Sequence, residues 1–283
     1  MNGVLAIYKE KGYTSRDVVN VLSRELGIKK IGHTGTLDPI ATGVLVVCIG
    51  DALKLVELLT NHDKEYIAKI RLGVETDTLD ITGKVLREEE IRKYSKEEVE
   101  EVLKGFVGKI KQVTPKYAAI KVNGKKLYEY ARNGEDVELP IRDIEIYDLK
   151  LVSDIVDGEF YIKCRVSKGT YIRSLVRDIG VSLGTVATMV ELERTRLGSF
   201  GLENTYTLDD IRYGMFSMME ICDVVNLPKL VVDKDMEKKI RNGCVLDKFF
   251  DDDMVMIMNE NDELIAIYQR KDDNKVKPYR MFL

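Results

Sequence analysis

A glycine-rich segment, residues 32–43, surrounds a single carboxylate, Asp38. Its glycines and small hydroxylated side chains let a ligand approach the backbone closely, which sets Asp38 against that ligand. Pro39 stiffens the chain directly behind the carboxylate. The spacing alone allows a second interpretation, a tight turn that Asp38 caps before an apolar strand. The first interpretation makes Asp38 a candidate functional residue.

Motifs for metals and cofactors are missing from the sequence. The four cysteines are separated by 116, 58 and 22 residues, so no C-x-x-C clip exists, and His33 and His62 are the only histidines. The phosphate-loop, dinucleotide-loop and hydrolase patterns G-x-x-x-x-G-K-[ST], G-x-G-x-x-G and G-x-S-x-G do not occur. We therefore expect no metal and no cofactor, and chemistry that carboxylates and arginines perform alone.

The placement of charge favours a nucleic-acid partner although the net charge is -4, with 44 Lys and Arg against 48 Asp and Glu. Residues 104–134 hold eight bases and one acid, a local charge of +7, interleaved with three tyrosines. Such a stretch suits contact with an RNA backbone and stacking on bases, although a solvated charged face is the alternative. Gly32-His33-Thr34-Gly35 also matches the G-x-x-G of KH domains, a weak signal. Acidic residues 88–101 and 247–263 are expected to face away from RNA.

Apolar periodicity predicts the elements around the glycine-rich segment. Residues 15–26 form a helix pattern with Ser15 as N-cap and Gly27 just past its end. Residues 44–49 form a buried strand and residues 51–59 a short amphipathic helix. The segment carrying Asp38 is thus predicted to lie between a helix and a buried strand.

The middle of the chain alternates between strand and helix patterns. Strands are predicted at 64–72, 142–152 and 160–166, and a change of apolar parity within 142–152 indicates a β-bulge. Ser95 and Glu98 predict a capping box for a helix ending near Lys104. A further helix follows Ser167-Lys168-Gly169-Thr170, with Arg173 in its first turn.

Irregularly interspersed strands and helices favour an α+β fold over a regular parallel one. The character changes near Leu227-Pro228, after which a hairpin pattern (254–258 and 264–268) predicts a small β-rich second domain. The longest apolar run, 44–49, is far short of the ~20 residues of a membrane span, and residues 1–10 lack a secretory signal pattern. We therefore expect a cytoplasmic protein that does not contact a membrane.

The glycine-rich segment resembles the active-site signature of TruB-type pseudouridine synthases. The resemblance covers residues 3 to about 200 and is carried by several motifs in the expected order: Gly32-His33-Thr34-Gly35-Thr36-Leu37-Asp38-Pro39, Gly43-Val44-Leu45, Lys64-Glu65-Tyr66, Gly73 to Thr76-Asp77-Thr78 to Asp80 to Gly83, Gln112-Val113 to Tyr117, Gly124-Lys125-Lys126-Leu127-Tyr128 and Ser167-Lys168-Gly169-Thr170-Tyr171-Ile172-Arg173.

The resemblance implies roles for four catalytic residues. Asp38 matches the nucleophile, and Arg173 matches the arginine that pairs with it and keeps it ionised. Asp80 matches an acid that positions this arginine. Tyr66 matches the residue that stacks on the target base, whereas its pattern alone predicts a core aromatic.

Further residues are implied to contact the substrate. Leu192 matches an apolar residue beneath the uracil, and His33 a histidine that fills space in the opened RNA loop. Lys9 stands where the family commonly has Lys-Pro and is implied to contact RNA, but Glu10 replaces the stiffening proline. The other implied contacts come from the glycine-rich segment, the helix start and the basic stretch: Gly35, Thr36, Tyr171, Lys125 and Lys126.

The implied activity is isomerisation of uridine-55 to pseudouridine in the T-loop of tRNA, after the base is flipped out. The implied architecture is a catalytic domain (1–228) with a mixed, largely antiparallel sheet and a basic RNA-clamping insertion (about 104–140). A small PUA-like domain (229–283) follows. The implied partner is the tRNA T-arm, with the enzyme acting as a monomer and needing no protein partner.

Two alternatives stay open. One is an RNA-binding or RNA-folding module that has lost catalysis, against which Asp38, Tyr66 and Arg173 argue together. The other is a catalytic subunit guided by a separate RNA and protein partners. The basic stretch favours stand-alone action, since it substitutes for external guidance.

Overall fold

A computed structural model describes residues 1–282, and two sheets organise this part of the chain. The strands are β1 (Gly3–Lys9), β2 (Ile31–His33), β3 (Thr42–Ile49), β4 (Lys64–Leu72), β5 (Val74–Thr76), β6 (Val85–Glu88), β7 (Gly108–Val113), β8 (Lys121–Val122), β9 (Lys125–Lys126), β10 (Ile141–Leu151), β11 (Glu159–Val166), β12 (Ala187–Leu197), β13 (Phe200–Gly201), β14 (Thr205–Tyr206), β15 (Lys229–Val231), β16 (Leu246–Asp247), β17 (Met254–Met258), β18 (Leu264–Arg270) and β19 (Lys275–Met281).

The helices connect or cover these strands. They are α1 (Ser15–Leu26), α2 (Val56–Thr60), α3 (Lys96–Lys104), α4 (Leu127–Asn133), α5 (Ile172–Ser182), α6 (Leu208–Arg212), α7 (Ile221–Val224) and α8 (Lys234–Arg241), with 3-10 turns at Gly50–Leu55 and Leu202–Asn204. No helix within residues 1–282 is long and apolar enough to cross a membrane.

The larger sheet has ten strands, with the main order β14-β1-β3-β12-β4-β11-β10-β7. The pairs β1–β14 and β3–β12 are parallel and the other pairs are antiparallel. The predicted α+β class with a mixed, largely antiparallel sheet is therefore confirmed. Helices α1, α3 and α5 bury their apolar stripes against one face of this sheet.

Most predicted elements are confirmed, including β4, the bulge in β10 between Ile146 and Asp148, and the hairpin β17–β18. Helix α1 spans the predicted residues, but its N-cap is Thr14 rather than Ser15. Ser95 caps α3, yet the predicted capping box is incomplete because the Glu98 carboxylate pairs with Arg92. The helix predicted at 51–59 is a 3-10 turn followed by α2.

The C-terminal strands form a separate five-stranded sheet, order β15-β17-β18-β19-β16. Met256, Ile267 and Phe282 from this part of the chain share an apolar cluster with residues of β1 and β3. The Arg280 guanidinium adds an ion pair of 2.8 Å with Glu57. The C-terminal sheet is therefore seated on the face of the large sheet opposite α1 and α5.

Candidate active site

A cavity of about 390 Å³ opens beside the glycine-rich segment. Its lining brings together most of the predicted site residues, together with Lys64, Tyr117, Lys168 and Arg194. The predicted residues in the lining are Gly35, Thr36, Asp38, Tyr66, Tyr171, Arg173 and Leu192. Segments distant in the chain thus converge on one concave surface.

Asp38 lies in the turn between β2 and β3, and the first turn of α1 fixes this turn. The Leu37 N–H donates a hydrogen bond of 2.9 Å to the Ser15 hydroxyl, and the Ala41 N–H donates to the Asp38 carbonyl at 3.0 Å. The Gly12 N–H binds the Pro39 carbonyl at 2.8 Å. These contacts hold the backbone on both sides of the carboxylate.

Gly43 permits the close approach of β3 and β12 beneath this turn. Its φ is +98°, and a Cβ there would lie 2.3 Å from the Arg194 carbonyl oxygen. Any other residue would separate the two strands. Arg194, thus held, donates to the Val44 carbonyl at 2.7 Å and to the Gly35 carbonyl at 3.4 Å.

Arg173 contacts the Asp38 carboxylate through two nitrogens. The Nε–Oδ2 distance is 2.9 Å and the Nη2–Oδ1 distance is 3.3 Å. The Asp80 carboxylate lies 3.7 Å from Nη1. The same guanidinium donates to the carbonyls of Thr78 at 2.9 Å and Tyr117 at 3.0 Å. Because Arg173 is only 6% exposed, these partners fix its orientation.

The start of α5 is anchored to β7, which fixes the backbone of Arg173. The Gln112 side chain accepts from the Tyr171 N–H at 2.8 Å and donates to the Tyr171 carbonyl at 3.1 Å. The Ser174 hydroxyl donates to the Val113 carbonyl at 2.8 Å. The motif Gln112-Val113 therefore supports the helix start that carries Arg173.

Asp80 is buried and its first oxygen is fully engaged. Oδ1 accepts from the Thr82 N–H at 3.0 Å, the Thr82 hydroxyl at 2.5 Å and the Thr78 hydroxyl at 3.1 Å. Oδ2 is left to face Arg173. The geometry thus gives Asp38, Arg173 and Asp80 as one charged network.

Burial raises the pKa of the Asp38 carboxyl, and the Arg173 guanidinium opposes this shift. The negative charge of Asp80 raises the same pKa further, and Lys9 lowers it. Loss of water destabilises the Asp38 anion while Arg173 stabilises it. The site therefore presents a partly buried carboxylate, with 34% of its side chain exposed, held by one arginine.

Tyr66 and Leu192 form an apolar wall of the cavity, and each is 7% exposed. Tyr66 lies on β4 opposite Arg194 of β12 and Cys164 of β11. Burial raises the pKa of Tyr66, and the charge of Arg194 opposes the shift. A flat aromatic side chain and an apolar one can bracket a planar base.

Two buried cations in the lining, Lys64 and Arg194, were missed by sequence reasoning. Arg194 is 1% exposed, and the Lys64 ammonium donates to the carbonyls of His62 at 2.7 Å and Thr60 at 3.1 Å. Burial lowers the pKa of Lys64 to about 8. Side chains alternate between the two faces of each strand. Lys64 is therefore on the same face of β4 as Tyr66, and Arg194 is on the same face of β12 as Leu192. A charged residue at such an inward position was the sequence signal that could have identified both.

Five predicted site residues do not line the cavity: Lys9, His33, Asp80, Lys125 and Lys126. Lys9 is fully buried, and its ammonium donates to the carbonyls of Tyr13 at 2.6 Å and Glu10 at 3.0 Å. Burial lowers the pKa of Lys9 to about 8. His33 is on β2, where burial lowers its pKa and its Nδ1 has no hydrogen-bond partner among residues 1–282. The structure thus keeps the Lys9 ammonium from the surface.

The basic stretch 104–134 divides between two structural units. Lys104 ends α3, while Lys109 and Lys111 lie on β7 opposite Glu145 and Asp143. The excursion between β7 and β10, residues 115–139, is closed at its base by a 3.0 Å bond from the Thr114 N–H to the Pro140 carbonyl. This excursion holds five bases and four acids, a net charge of +1. The +7 of the sequence stretch is therefore not one continuous surface.

Lys125 and Lys126 lie on the hairpin β8–β9 of the excursion. The Lys125 ammonium is 2.6 Å from each Glu135 oxygen and 4.6 Å from the centre of the Tyr130 ring. The Lys126 ammonium is 5.4 Å from the Tyr128 ring centre. Within the described residues, neither acidic stretch, 88–101 nor 247–263, contributes to the cavity lining.

The chain is similar to known proteins in both sequence and fold. Residues 23–172 match the family described as TruB family pseudouridylate synthase (N terminal domain). Residues 173–235 match the tRNA pseudouridylate synthase B C-terminal domain. A solved structure, an H/ACA RNP bound to a substrate RNA containing 2'-deoxyuridine, superposes with a TM-score of 0.73 at 25% identity, covering 99% of this chain and 85% of that chain.

Two curated relatives are similar over nearly their whole length. The tRNA pseudouridine synthase B of Oceanobacillus iheyensis is 44% identical, covering 100% of this chain and 98% of the relative. That of Caldanaerobacter subterraneus subsp. tengcongensis is 39% identical, covering 100% and 99%. Fold and site thus define a pseudouridine synthase, an isomerase. Within that class, the chain belongs to the TruB family.

Proposed function

We propose that this enzyme converts uridine-55 of the tRNA T-loop to pseudouridine, with Asp38 as nucleophile. The observation that carries the proposal is the Asp38–Arg173 pair, 2.9 Å apart, in a cavity walled by Tyr66 and Leu192. Family membership and the names of the curated relatives support tRNA as substrate.

The reaction breaks the C1′–N1 bond and forms a C1′–C5 bond, while C5 loses a proton and N1 gains one. The Asp38 carboxylate begins it by attacking C1′ or C6 of the uridine, or by promoting a glycal route. All three routes need an anion at the same place, which Arg173 maintains against desolvation. The reaction is a rearrangement with no net oxidation or hydrolysis.

The uridine must leave its stack to reach Asp38, at a cost of a few kcal/mol. In this proposal, Tyr66 stacks on the flipped base, with Leu192 beneath it, while Gly35, Thr36 and Tyr171 contact the nucleotide. Lys125 and Lys126 bind the T-arm backbone and offset the cost of flipping. His33 fills space in the opened loop, and Asp80 positions Arg173.

We propose stand-alone action in the cytoplasm by a monomer that needs no protein partner, in two units, 1–228 and a small PUA-like unit 229–283. The test is to incubate a T-arm stem-loop with purified protein and to map pseudouridine by cyanoethylation and mass spectrometry. Wild type is expected to modify one uridine, and Asp38→Asn to bind RNA but form no product.

Two results would contradict the proposal in different ways. Turnover near wild type in Asp38→Asn would remove Asp38 as nucleophile. Modification that requires an added guide RNA or protein would replace stand-alone action by the guided alternative.

A further inference from the structure

Asp77 and Tyr117 close a ring of contacts around the Arg173 guanidinium. Arg173 donates to the carbonyl of Thr78, the residue after Asp77, and to the carbonyl of Tyr117. The Tyr117 hydroxyl donates to the Asp77 carboxylate at 3.3 Å. The two segments that supply carbonyls to Arg173 are thereby joined to each other.

Asp77 is itself fixed in this position. Its Oδ1 accepts from the Lys84 N–H at 2.8 Å, which leaves Oδ2 for Tyr117. Gly83 has no side chain beside this oxygen, and a Cβ there would lie 2.5 Å from Oδ1. Burial and the Asp77 charge raise the pKa of Tyr117, so the hydroxyl stays protonated and able to donate.

Tyr117 connects this ring to the rest of the excursion 115–139. The next residues line the cavity and are bonded to α4: the Tyr128 N–H donates to the Ala118 carbonyl at 3.1 Å, and the Leu127 N–H to the Ile120 carbonyl at 2.9 Å. The position of the Tyr117 carbonyl therefore depends on how the excursion is seated.

We propose that Asp77 and Tyr117 are positioning residues for the isomerisation. Their bond seats the base of the excursion and holds the two carbonyls that aim Arg173 at Asp38. Neither residue needs to touch the uridine for this. The inference rests on the proposed function and adds to it a link between the seating of the excursion and the charged network.

The experiment compares Tyr117→Phe, Asp77→Ala and the double variant by single-turnover kinetics at saturating T-arm RNA, with RNA affinity measured separately. Tyr117→Phe is expected to lower the rate constant about tenfold, in line with one hydrogen bond to a charged group. In the Asp77→Ala background the same change is expected to have no effect, because the bond is already gone. Affinity for RNA is expected to stay within about twofold, since phosphate contacts set most of it.

The pH profile separates positioning from general damage. A looser Arg173 stabilises the Asp38 anion less, so the acid limb of the rate is expected to move to higher pH in both single variants. The matched control is Tyr213→Phe, which removes a hydroxyl from a residue that is 76% exposed. It is expected to leave rate and profile unchanged.

Three outcomes overturn the inference while wild type remains active. The first is a wild-type rate in Tyr117→Phe. The second is that Tyr117→Phe lowers the rate equally with Asp77 present and with Asp77→Ala, and the third is an acid limb of the pH–rate profile that does not move in the single variants. An inactive wild type would instead contradict the proposed function. Melting temperatures measured on the same samples show whether each variant is folded.

Discussion

The Ser15 hydroxyl accepts a 2.9 Å hydrogen bond from the Leu37 N–H, so the first turn of α1 holds the residue that precedes Asp38. Both Ser15 and Leu37 are buried. A side chain that sequence patterns assign to helix capping thus supports the turn that carries the carboxylate. Thr14 caps the helix in its place.

Replacing Ser15 by alanine is expected to impair activity as well as stability. The Leu37 N–H would be left buried without its partner, at a cost of about 1–3 kcal/mol in the free energy of unfolding. The turn would loosen, and the single-turnover rate on T-arm RNA is expected to fall several-fold. Urea denaturation and single-turnover kinetics measure the two effects.

Thr14→Ala is the matched control for this change. It removes the N-cap bond that the Thr14 hydroxyl accepts from the Asp17 N–H, at a cost of about 1 kcal/mol in stability, but leaves the turn around Asp38 intact. We expect an unchanged rate below the melting temperature. Equal loss of rate in both variants would mean that α1 acts only through its overall stability.

The Asp38 carboxyl is expected to set the acid limb of the pH–rate profile. Burial raises its pKa above the ordinary value of 3.8, so the anion is lost at a higher pH than for an exposed aspartate. Asp80→Asn removes a negative charge that raises this pKa, and the acid limb should move to lower pH. The plateau rate should fall as well, because Asp80 contacts Arg173. Single-turnover rates across pH measure both effects.

Asp252→Asn is the control, because this aspartate is exposed and lies outside the cavity lining. Its acid limb should coincide with that of wild type. An acid limb that moves to higher pH in Asp80→Asn would show that Asp80 acts on Asp38 mainly by orienting Arg173. It would contradict the expectation that the negative charge of Asp80 raises the pKa of Asp38.

Asp38→Asn is expected to be at least as stable as wild type at neutral pH. A pKa raised in the folded state means that folding favours the protonated carboxyl, so this stabilisation is present below the unfolded pKa and is lost as pH rises through the folded pKa. Asparagine does not ionise and can still accept from Arg173. Denaturation curves of both proteins across pH should diverge as pH rises, with the variant becoming relatively more stable.

Elements that depend on local apolar periodicity were predicted well from the sequence, whereas contacts between residues distant in the chain were not. Helix α1 and strand β4 were predicted with their observed bounds because each carries a strong apolar period. The prediction of Ser15 as the N-cap of α1 was wrong because the Ser15 hydroxyl binds Leu37, which is distant in sequence. The motifs of the TruB resemblance led to residues that meet in one cavity, since they contain the turn and helix start that form its walls.

Charge was harder to predict because its effect depends on neighbours. Lys109 and Lys111 counted toward a basic surface, but their strand places them opposite acids of β10. Strand parity marks the positions of Lys64 and Arg194 as inward, but the backbone carbonyls that bind Lys9 and Arg194 come from the folded arrangement and not from a local pattern. The count of bases along the sequence therefore overstated how continuous the basic surface is.

Lys125 offers a test of the excursion as an RNA contact. Lys125→Glu and Lys126→Glu are each expected to weaken T-arm binding, and each lost phosphate contact should flatten the log–log salt dependence by about 0.7 to 0.9. Binding isotherms at several salt concentrations measure this slope. An unchanged slope in both variants would show that the hairpin β8–β9 does not contact phosphate.

Glu135→Gln provides the opposite change at the same place. Glu135 holds the Lys125 ammonium at 2.6 Å and so competes with phosphate for it. Without this charge, affinity for T-arm RNA should rise about two- to fivefold, the modest gain expected at an exposed ion pair, and the salt dependence should steepen. Glu237→Gln is the control, since it breaks the exposed 2.7 Å pair with Arg241 on α8, outside the excursion. If both variants strengthened RNA binding equally, the change in total charge rather than release of Lys125 would account for the higher affinity. A higher affinity in Glu135→Gln alone would identify Lys125 as the phosphate ligand.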